Sequence, residues 1–415
     1  MSIVEPFRAS FYSEKAGDIK DLVCPPYDVI SKSYEKELRG RAAHNFVHME
    51  LKMPDETYED MADKLRKWSS AGLLATDNDP VFYLLRQKFS IKGIEYIRKG
   101  IFAQLKLTGG HSICAHEKTH EGPKEDRMNM LRFMKANISP NFVIYQNKEG
   151  EPASQLLLKY ESSEPFMSVY DEHEKVQYDM WRIHDSVDID SVKKYFENVE
   201  LMIADGHHRT EVATKYFLQE KKEDPRYNYM MTYLSPVDDG LVVFPTHRVL
   251  HRKFDPADML NKVSDIFEVE EYRDISEMAA AVAARQKYAF GFAQDGKYLC
   301  CTLKCTSVLD KVFASEEEKP YKAIDSFLLH KLVIEKTLGI VTREGDLSYT
   351  IDEKEAEKIA LEIGGSVFLM KSTCVEEVMK VSVSGFTMPQ KTTYFFPKLL
   401  SGLLIRQHEL QEVAF

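Results

Sequence analysis

The run Asp205-Gly206-His207-His208-Arg209 constrains this chain more than any other stretch. An apolar segment, Val199-Glu200-Leu201-Met202-Ile203-Ala204, leads into it, and Glu211-Val212-Ala213-Thr214-Lys215-Tyr216-Phe217-Leu218 follows with helical character. The pattern predicts a strand over 199–205, a tight glycine turn and a helix start. Such a junction aims backbone N–H groups and the positive end of a helix dipole at an anion. Gly206 supplies the positive φ or the close backbone approach that the turn needs. Arg209 carries a guanidinium that can fork onto two phosphate oxygens, which lysine does less well. The run therefore points to phosphate and, through it, to a nucleotide. A plainer alternative has Asp205 and His208 capping the helix while His207 packs as a neutral imidazole. Two imidazoles, a guanidinium and a carboxylate around one glycine argue for the phosphate site. Metal binding by His207 and His208 is the weaker idea, because adjacent residues on a turn point differently, unlike the i, i+4 pairs of helical zinc sites.

Other polar clusters are candidates for the same site. His116-Glu117-Lys118-Thr119 precedes Gly122-Pro123-Lys124-Glu125-Asp126-Arg127, just ahead of an amphipathic helix. Glu117 could ligate Mg²⁺ or serve as a base, while Lys118, Lys124 and Arg127 could neutralise phosphate. The alternative is a solvated loop whose Glu125 and Asp126 complement the helix N-terminus. Asp28 follows Pro25-Pro26-Tyr27, a rigid approach that fixes where its carboxylate points. Transfer of phosphate to a small alcohol needs such a carboxylate to accept the hydroxyl proton; a turn-forming Asp is the plainer reading. Thr246-His247-Arg248 ends an apolar strand and could add a second cation and imidazole, or form a salt-bridged strand end. Lys391, in Gln390-Lys391-Thr392-Thr393-Tyr394, could reach phosphate, or sit on a half-buried strand.

These motifs carry a family resemblance. The 205–209 run resembles the phosphate-binding turn of the ParB/sulfiredoxin-like superfamily, whose members include nucleotide-hydrolysing partition proteins and archaeal free serine kinases. His207 stands where sulfiredoxins carry their nucleophilic cysteine, which speaks against sulfinic acid reduction, and the acidic residue of the partition-protein turn is missing. Cys24-Pro25-Pro26-Tyr27-Asp28-Val29-Ile30, the two clusters at 116–127, Pro245-Thr246-His247-Arg248 and Met388-Pro389-Gln390-Lys391-Thr392-Thr393-Tyr394-Phe395 are similar to hallmarks of a large bacterial family of unknown function.

The resemblance implies a ParB/sulfiredoxin-like nucleotide-binding domain and a kinase that phosphorylates a hydroxyl group, with free L-serine the favoured acceptor. Its donor would be ATP, ADP or pyrophosphate, with Mg²⁺. Asp205, Gly206, His207, His208 and Arg209 would hold phosphates, joined by Lys118, Lys124, Arg127, His247, Arg248 and Lys391. Asp28, Glu117 and His208 would be catalytic, and Glu117 the metal ligand. The partners would be a nucleotide and an amino acid or polyol, and the resemblance also allows a homodimer. Two other classes stay open: a nucleotide-gated binding or regulatory protein, and a hydrolase or phosphatase using the His-rich turn.

The 415 residues suggest two or three domains. With 44% hydrophobic and 29% charged residues, the chain can bury sizeable cores. No stretch approaches the ~18 apolar residues that span a bilayer. The N-terminus lacks a basic leader and a long apolar core, so no signal peptide is expected. Six cysteines without zinc-site spacing are expected to be reduced, buried thiols in a cytoplasmic protein. Duplex binding rests on a basic surface. A net charge of −11 and mixed clusters such as Glu316-Glu317-Glu318-Lys319 therefore disfavour nucleic acid as the main partner.

Periodicity predicts helices over 33–39, 57–71, 122–136, 191–196, 259–266, 275–286, 323–338 and 353–362. Strands are expected over 80–91 and 94–107, joined through Lys92-Gly93, and over 142–146, 230–234, 241–250, 288–292, 298–303, 347–351 and 366–370. Residues 165–185 read as a further strand pair, and 230–250 as strands of the sheet that carries the turn. A composition shift after Phe254-Asp255-Pro256 suggests a boundary near 252. That gives a nucleotide-binding domain over 1–252 and a smaller domain over 253–415 that closes the cleft. Strands and helices do not alternate uniformly, so the class is α+β and not a doubly wound sheet.

Overall fold

The computed structural model describes residues 3–108, 113–114, 121–238, 240–315, 319–343, 345–383 and 391–412. The expectations on His116, Glu117, Lys118 and Thr119, and on Met388, Pro389 and Gln390, lie outside the described residues. Two compact units are formed. The first gathers Met1–Cys114, Thr119–Val242 and Pro397–Phe415, and the second is built on Val243–Phe396. The content is mixed α and β, with several sheets.

A nine-stranded mixed sheet organises the first unit. Its long strands are β1 (Phe82–Ile91), β2 (Ile94–Lys106), β3 (Asn141–Gln146), β4 (Met167–Asp171), β5 (Val176–Ile183), β6 (Leu201–Asp205) and β7 (Tyr229–Val237). Ile113–Cys114 starts the order at one edge, followed by β6, β3, β7, β2, β1, β5 and β4, while Val4–Glu5 also pairs with β2. Ile113–Cys114 with β6, and β3 with β7, are parallel pairs. The β1–β2 hairpin turns at Lys92 (φ 51°) and Gly93 (φ 82°). Two successive positive φ values match the right-handed twist of the strands they join.

Three helices matter for the site: α1 (Tyr58–Ser70), α2 (Glu121–Met134) and α3 (His207–Tyr216). Thr57 and Asp60 close a capping box on α1. Met128 and Leu131 of α2 pack with Val212, Ala213 and Tyr216 of α3 and with Met230 of β7. Ion pairs Lys124–Glu211, at 2.7 Å, and Arg132–Glu220 strap α2 to the α3 segment. A separate core joins the helices Pro152–Tyr160 and Ser186–Tyr195 to β1, β2, β3 and β6 through Leu156, Val192, Leu84, Ile101, Val143 and Ile203.

Three expectations are corrected, and one helix is added. The helix expected over 191–196 begins at Ser186, because the Asp185 carboxylate accepts from the amides of Val187 (2.9 Å) and Asp188 (3.3 Å). The helix Pro152–Tyr160 was not expected. Glu151 caps it by accepting from Ala153 N (2.6 Å) and Ser154 N (2.8 Å), with proline at the first position. Residues 241–250 do not continue the first sheet. Pro245, which has no N–H to donate, separates Val242–Phe244 from His247–Leu250, and the latter strand pairs in the second unit. Finally, Cys24, Cys300 and Cys301 are buried free thiols, Cys24 in a β-bridge with Ser401 and the other two on a central strand, but Cys305 and Cys374 sit in connections outside the strands and helices and are exposed.

The second unit holds a six-stranded antiparallel sheet of β8 (His247–Leu250), β9 (Phe267–Tyr272), β10 (Ala289–Gln294), β11 (Lys297–Leu303), β12 (Leu347–Thr350) and β13 (Ser366–Leu369), in the order β9-β11-β10-β13-β8-β12. Successive residues alternate between two cores. Leu250, Phe292, Cys301 and Phe368 join one with Met259 and Leu332, whereas Val249, Ala293, Cys300 and Val367 join another with Met278 and Ala356. That is the two-residue period of a strand buried on both faces. Among the described residues no helix is long and apolar enough to cross a membrane.

Candidate functional site

Strand β6 ends at Asp205, and α3 begins two residues later at His207. Gly206 between them has φ 98° and ψ 26°, the left-handed region that side chains resist. A Cβ at this position would lie 2.3 Å from Asn141 Oδ1 and 3.2 Å from Arg209 Nε, so those side chains would have to shift as well. Asn141, 2% exposed, donates to the Thr210 hydroxyl, which in turn donates to Gly206 O at 3.2 Å. Gly206 offers no side chain to cap α3. The first-turn amides of a helix have no intrahelical acceptor, and here they lie at the end of a strand that delivers a carboxylate.

Charge gathers at this turn. Gly206 N donates to Asp205 Oδ1 at 3.0 Å. Asp205 Oδ2 faces Arg209 Nη2 at 3.6 Å and Lys398 Nζ at 3.5 Å. Arg209 Nη1 donates to Pro140 O at 2.7 Å, which ties the guanidinium to the chain just before β3. The side chains of Arg209 and Lys398 are only 11% and 12% exposed, so their fields are screened less than those of surface lysines. Sequence reasoning missed Lys398. Its neighbourhood, Tyr394-Phe395-Phe396-Pro397, reads as apolar, and nothing local says that it returns to Asp205.

A second charged network borders the turn. The Arg127 guanidinium, 9% exposed, donates to Asp126 (2.9 Å), to Glu50 Oε2 (3.4 Å) and to Glu50 O (3.1 Å), and lies 4.2 Å above the Tyr27 ring. Burial works against its charge, but Glu50 and Asp126 more than offset this and raise its pKa. Glu50 is fully buried and accepts from the hydroxyls of Ser139 and Ser401. It too was missed, because His48-Met49-Glu50 carries no motif. Burial pushes the Tyr27 phenol up and Asp28 adds to this, while Arg209 and Arg127 pull it back. Tyr27 therefore feels both guanidiniums and the Asp28 carboxylate. Asp28 itself is exposed, on a single helical turn after Pro26.

A cavity of about 50 Å³ opens between these groups. Arg127, Arg209 and Ser139 line it together with Met130, Val212 and Met230. Lys124 pairs with Glu211 on α3; His207 is 8% exposed and His208 half-buried. Glu117 and Lys118 lie outside the described residues.

His247, Arg248 and Lys391 belong to the second unit. His247 Nδ1 accepts from Met370 N at 3.1 Å. Burial, with Arg248 adding to it, lowers the His247 pKa to about 4, so the ring is neutral at pH 7. Arg248, 1% exposed, donates to Thr246 O and to Lys391 O (3.4 Å). These contacts tie the unit's own backbone together. Among the described residues no cluster of three or more His, Cys, Asp or Glu side chains is placed to hold a metal ion.

A family model described as a protein of unknown function, DUF1015, matches residues 4–327. No curated protein matches the chain. Among solved structures, a conserved hypothetical protein from Pyrococcus furiosus is 17% identical, with 75% of this chain and 97% of that chain covered, at a TM-score of 0.34. A free serine kinase in complex with AMP is 16% identical over 75% of this chain and 93% of its own, at 0.35. SbnI with C-terminal truncation from Staphylococcus aureus is 11% identical over 74% and 88%, at 0.34. Superpositions this loose transfer no residue roles.

Proposed function

We propose that this chain, which belongs to the DUF1015 family, is a nucleotide-dependent kinase that phosphorylates the hydroxyl group of a small metabolite, free L-serine being the favoured acceptor. One observation carries the proposal: a left-handed glycine joins a strand-end carboxylate to a helix N-terminus, with a guanidinium in the first turn. That is a phosphate cradle without a glycine-rich loop. The resemblance of the 205–209 run to the turn of free serine kinases directs the choice of acceptor.

In this assignment the turn at Gly206 and the Arg209 guanidinium hold the donor phosphates and stabilise charge that builds during transfer. The acceptor oxygen forms a bond to the terminal phosphorus as the bridging oxygen leaves with the shortened donor. The hydroxyl proton passes to a carboxylate, Asp28 or Glu117, and the other carboxylate binds metal or substrate. Mg²⁺ on a nucleotide needs only one or two protein carboxylates and keeps several waters, a donor set that the exposed Asp28 fits. When bound, the ion would supply neutralisation of phosphate charge.

The test is to incubate the purified chain with Mg²⁺, a pool of amino acids and polyols, and ATP, ADP or pyrophosphate in turn, following new phosphomonoesters by phosphorus NMR. One acceptor gaining phosphate is the expected result. Tight nucleotide binding with no phosphomonoester would overturn the kinase and favour a nucleotide-gated binding protein.

A further inference from the structure

Two consecutive carbonyls near the C-terminus, those of Pro397 and Lys398, are gripped by side chains of the first unit's sheet. Arg98 Nη2 of β2 donates to Pro397 O at 2.6 Å, and the Tyr178 hydroxyl of β5 donates to Lys398 O at 2.8 Å. Arg98 is fully buried. Its Nε donates to Gln87 Oε1 at 2.8 Å, and its guanidinium lies 4.7 Å from the Phe142 ring centroid. Phe142 is the residue that pairs with Asp205 across the β3–β6 ladder. Among the described residues Arg98 forms no ion pair, and its Nη1 is buried without a hydrogen-bond partner. A buried guanidinium left partly unsatisfied lowers stability. Anchoring residues 397–398 beside the turn gives that arrangement a function.

The anchored backbone sends the Lys398 ammonium to the phosphate turn. It stops 3.5 Å from Asp205 Oδ2, the oxygen that Arg209 Nη2 faces at 3.6 Å. Two cations thus converge on one carboxylate oxygen at the phosphate turn. An arriving dianion can attract both.

We propose that Lys398 is a phosphate-binding residue that forms, with Arg209, a two-cation clamp for a di- or triphosphate tail, and that Arg98 and Tyr178 position it. Asp205 is the shared counter-charge that keeps the two cations together until the anion arrives. The proposal rests on the assignment of the 205–209 turn as a phosphate site.

Calorimetric titration of the full chain with ADP and with pyrophosphate, over a series of salt concentrations, tests it. Lys398→Met is expected to weaken both ligands about tenfold or more, as loss of a charge-assisted contact implies. It should also flatten the salt dependence of affinity, while Lys398→Arg recovers most of the binding. Tyr178→Phe, which removes only the hydroxyl on Lys398 O, should give a smaller loss with the melting temperature little changed, and so covers the case in which Lys398→Met fails to fold. Wild-type affinity and salt slope in Lys398→Met, alongside lost binding in Arg209→Ala, would overturn the clamp and leave the turn intact. Failure of the wild-type chain to bind either ligand would overturn the turn assignment and the clamp with it.

Discussion

Arg127 of α2 and Arg209 of α3 line one cavity, yet each guanidinium faces a different carboxylate. Arg127 is held by the fully buried Glu50, and Arg209 faces Asp205 at the end of β6. The two arginines should therefore respond differently to mutation. Removing one partner of a buried pair strands the other charge, which destabilises by about 3–5 kcal/mol. Arg127→Met should accordingly lower stability by that order, and the double variant Arg127→Met/Glu50→Gln should recover part of the loss. Urea unfolding of the four chains in this cycle decides; equal stability of Arg127→Met and wild type would show that the Glu50 contact contributes nothing.

Arg209 should show its effect in binding. Arg209→Ala is expected to weaken nucleotide affinity by roughly 1.5–3 kcal/mol, the range for a hydrogen bond to a charged group, with much smaller changes in unfolding. Cys24→Ala serves as the contrast. Its thiol is buried, and that burial pushes its pKa well above the usual value, which disfavours the thiolate that a nucleophile needs. Lost turnover in a well-folded Cys24→Ala would reopen a redox chemistry.

The proton acceptor should separate turnover from affinity. General-base contributions are typically about 10²–10⁴-fold, and they act mainly in the transition state. Asp28→Asn and Glu117→Gln should differ: the variant lacking the base loses turnover by that factor while nucleotide affinity stays close to wild type. If both retain full turnover, neither carboxylate is the base.

Acid should loosen the second unit. His247 and His330 have folded-state pKa values lowered from 6.5 to about 4 and about 3, burial being the first cause in both. Unfolding lets each ring bind a proton below pH 6.5 that the folded ring refuses. The stability they contribute is therefore full above 6.5 and is lost as pH falls towards 4. For His247 the loss is on the order of 3 kcal/mol. Asp325, raised by burial from 3.8 to about 6, works the other way, its contribution fading as pH rises through 6. Two imidazoles outweigh one carboxyl, so the melting temperature should drop between pH 7.5 and 5.0. His247→Asn, which keeps an acceptor for Met370 N, should reduce that drop; an unchanged pH slope would contradict the assignment.

Local features of the chain were legible where their cause is local. Lys92-Gly93 announces its hairpin and Asp205-Gly206 its strand–helix junction because the glycine of each pair takes a positive φ that other residues resist. The helix at 152–160 was hidden because its cap is a glutamate, which is not among the preferred capping residues. Membership of His247–Leu250 in the second sheet depends on Ser366–Leu369 and Leu347–Thr350, which lie about a hundred positions later. At the candidate site, the turn could be read from five consecutive residues. Glu50 and Lys398 could not, since each derives its place from tertiary contacts, with Arg127 and with Asp205.

The most direct measurement is a phosphorus NMR time course of the wild-type chain with Mg²⁺, ATP or ADP, and free L-serine, with Arg209→Ala run beside it. The expected result is a growing O-phosphoserine resonance, matched mole for mole by loss of the donor's terminal phosphate and strongly reduced in Arg209→Ala. Bound nucleotide with no phosphomonoester from serine or any other hydroxyl acceptor would contradict the kinase, and equal rates in the two chains would contradict the role given to the 205–209 turn.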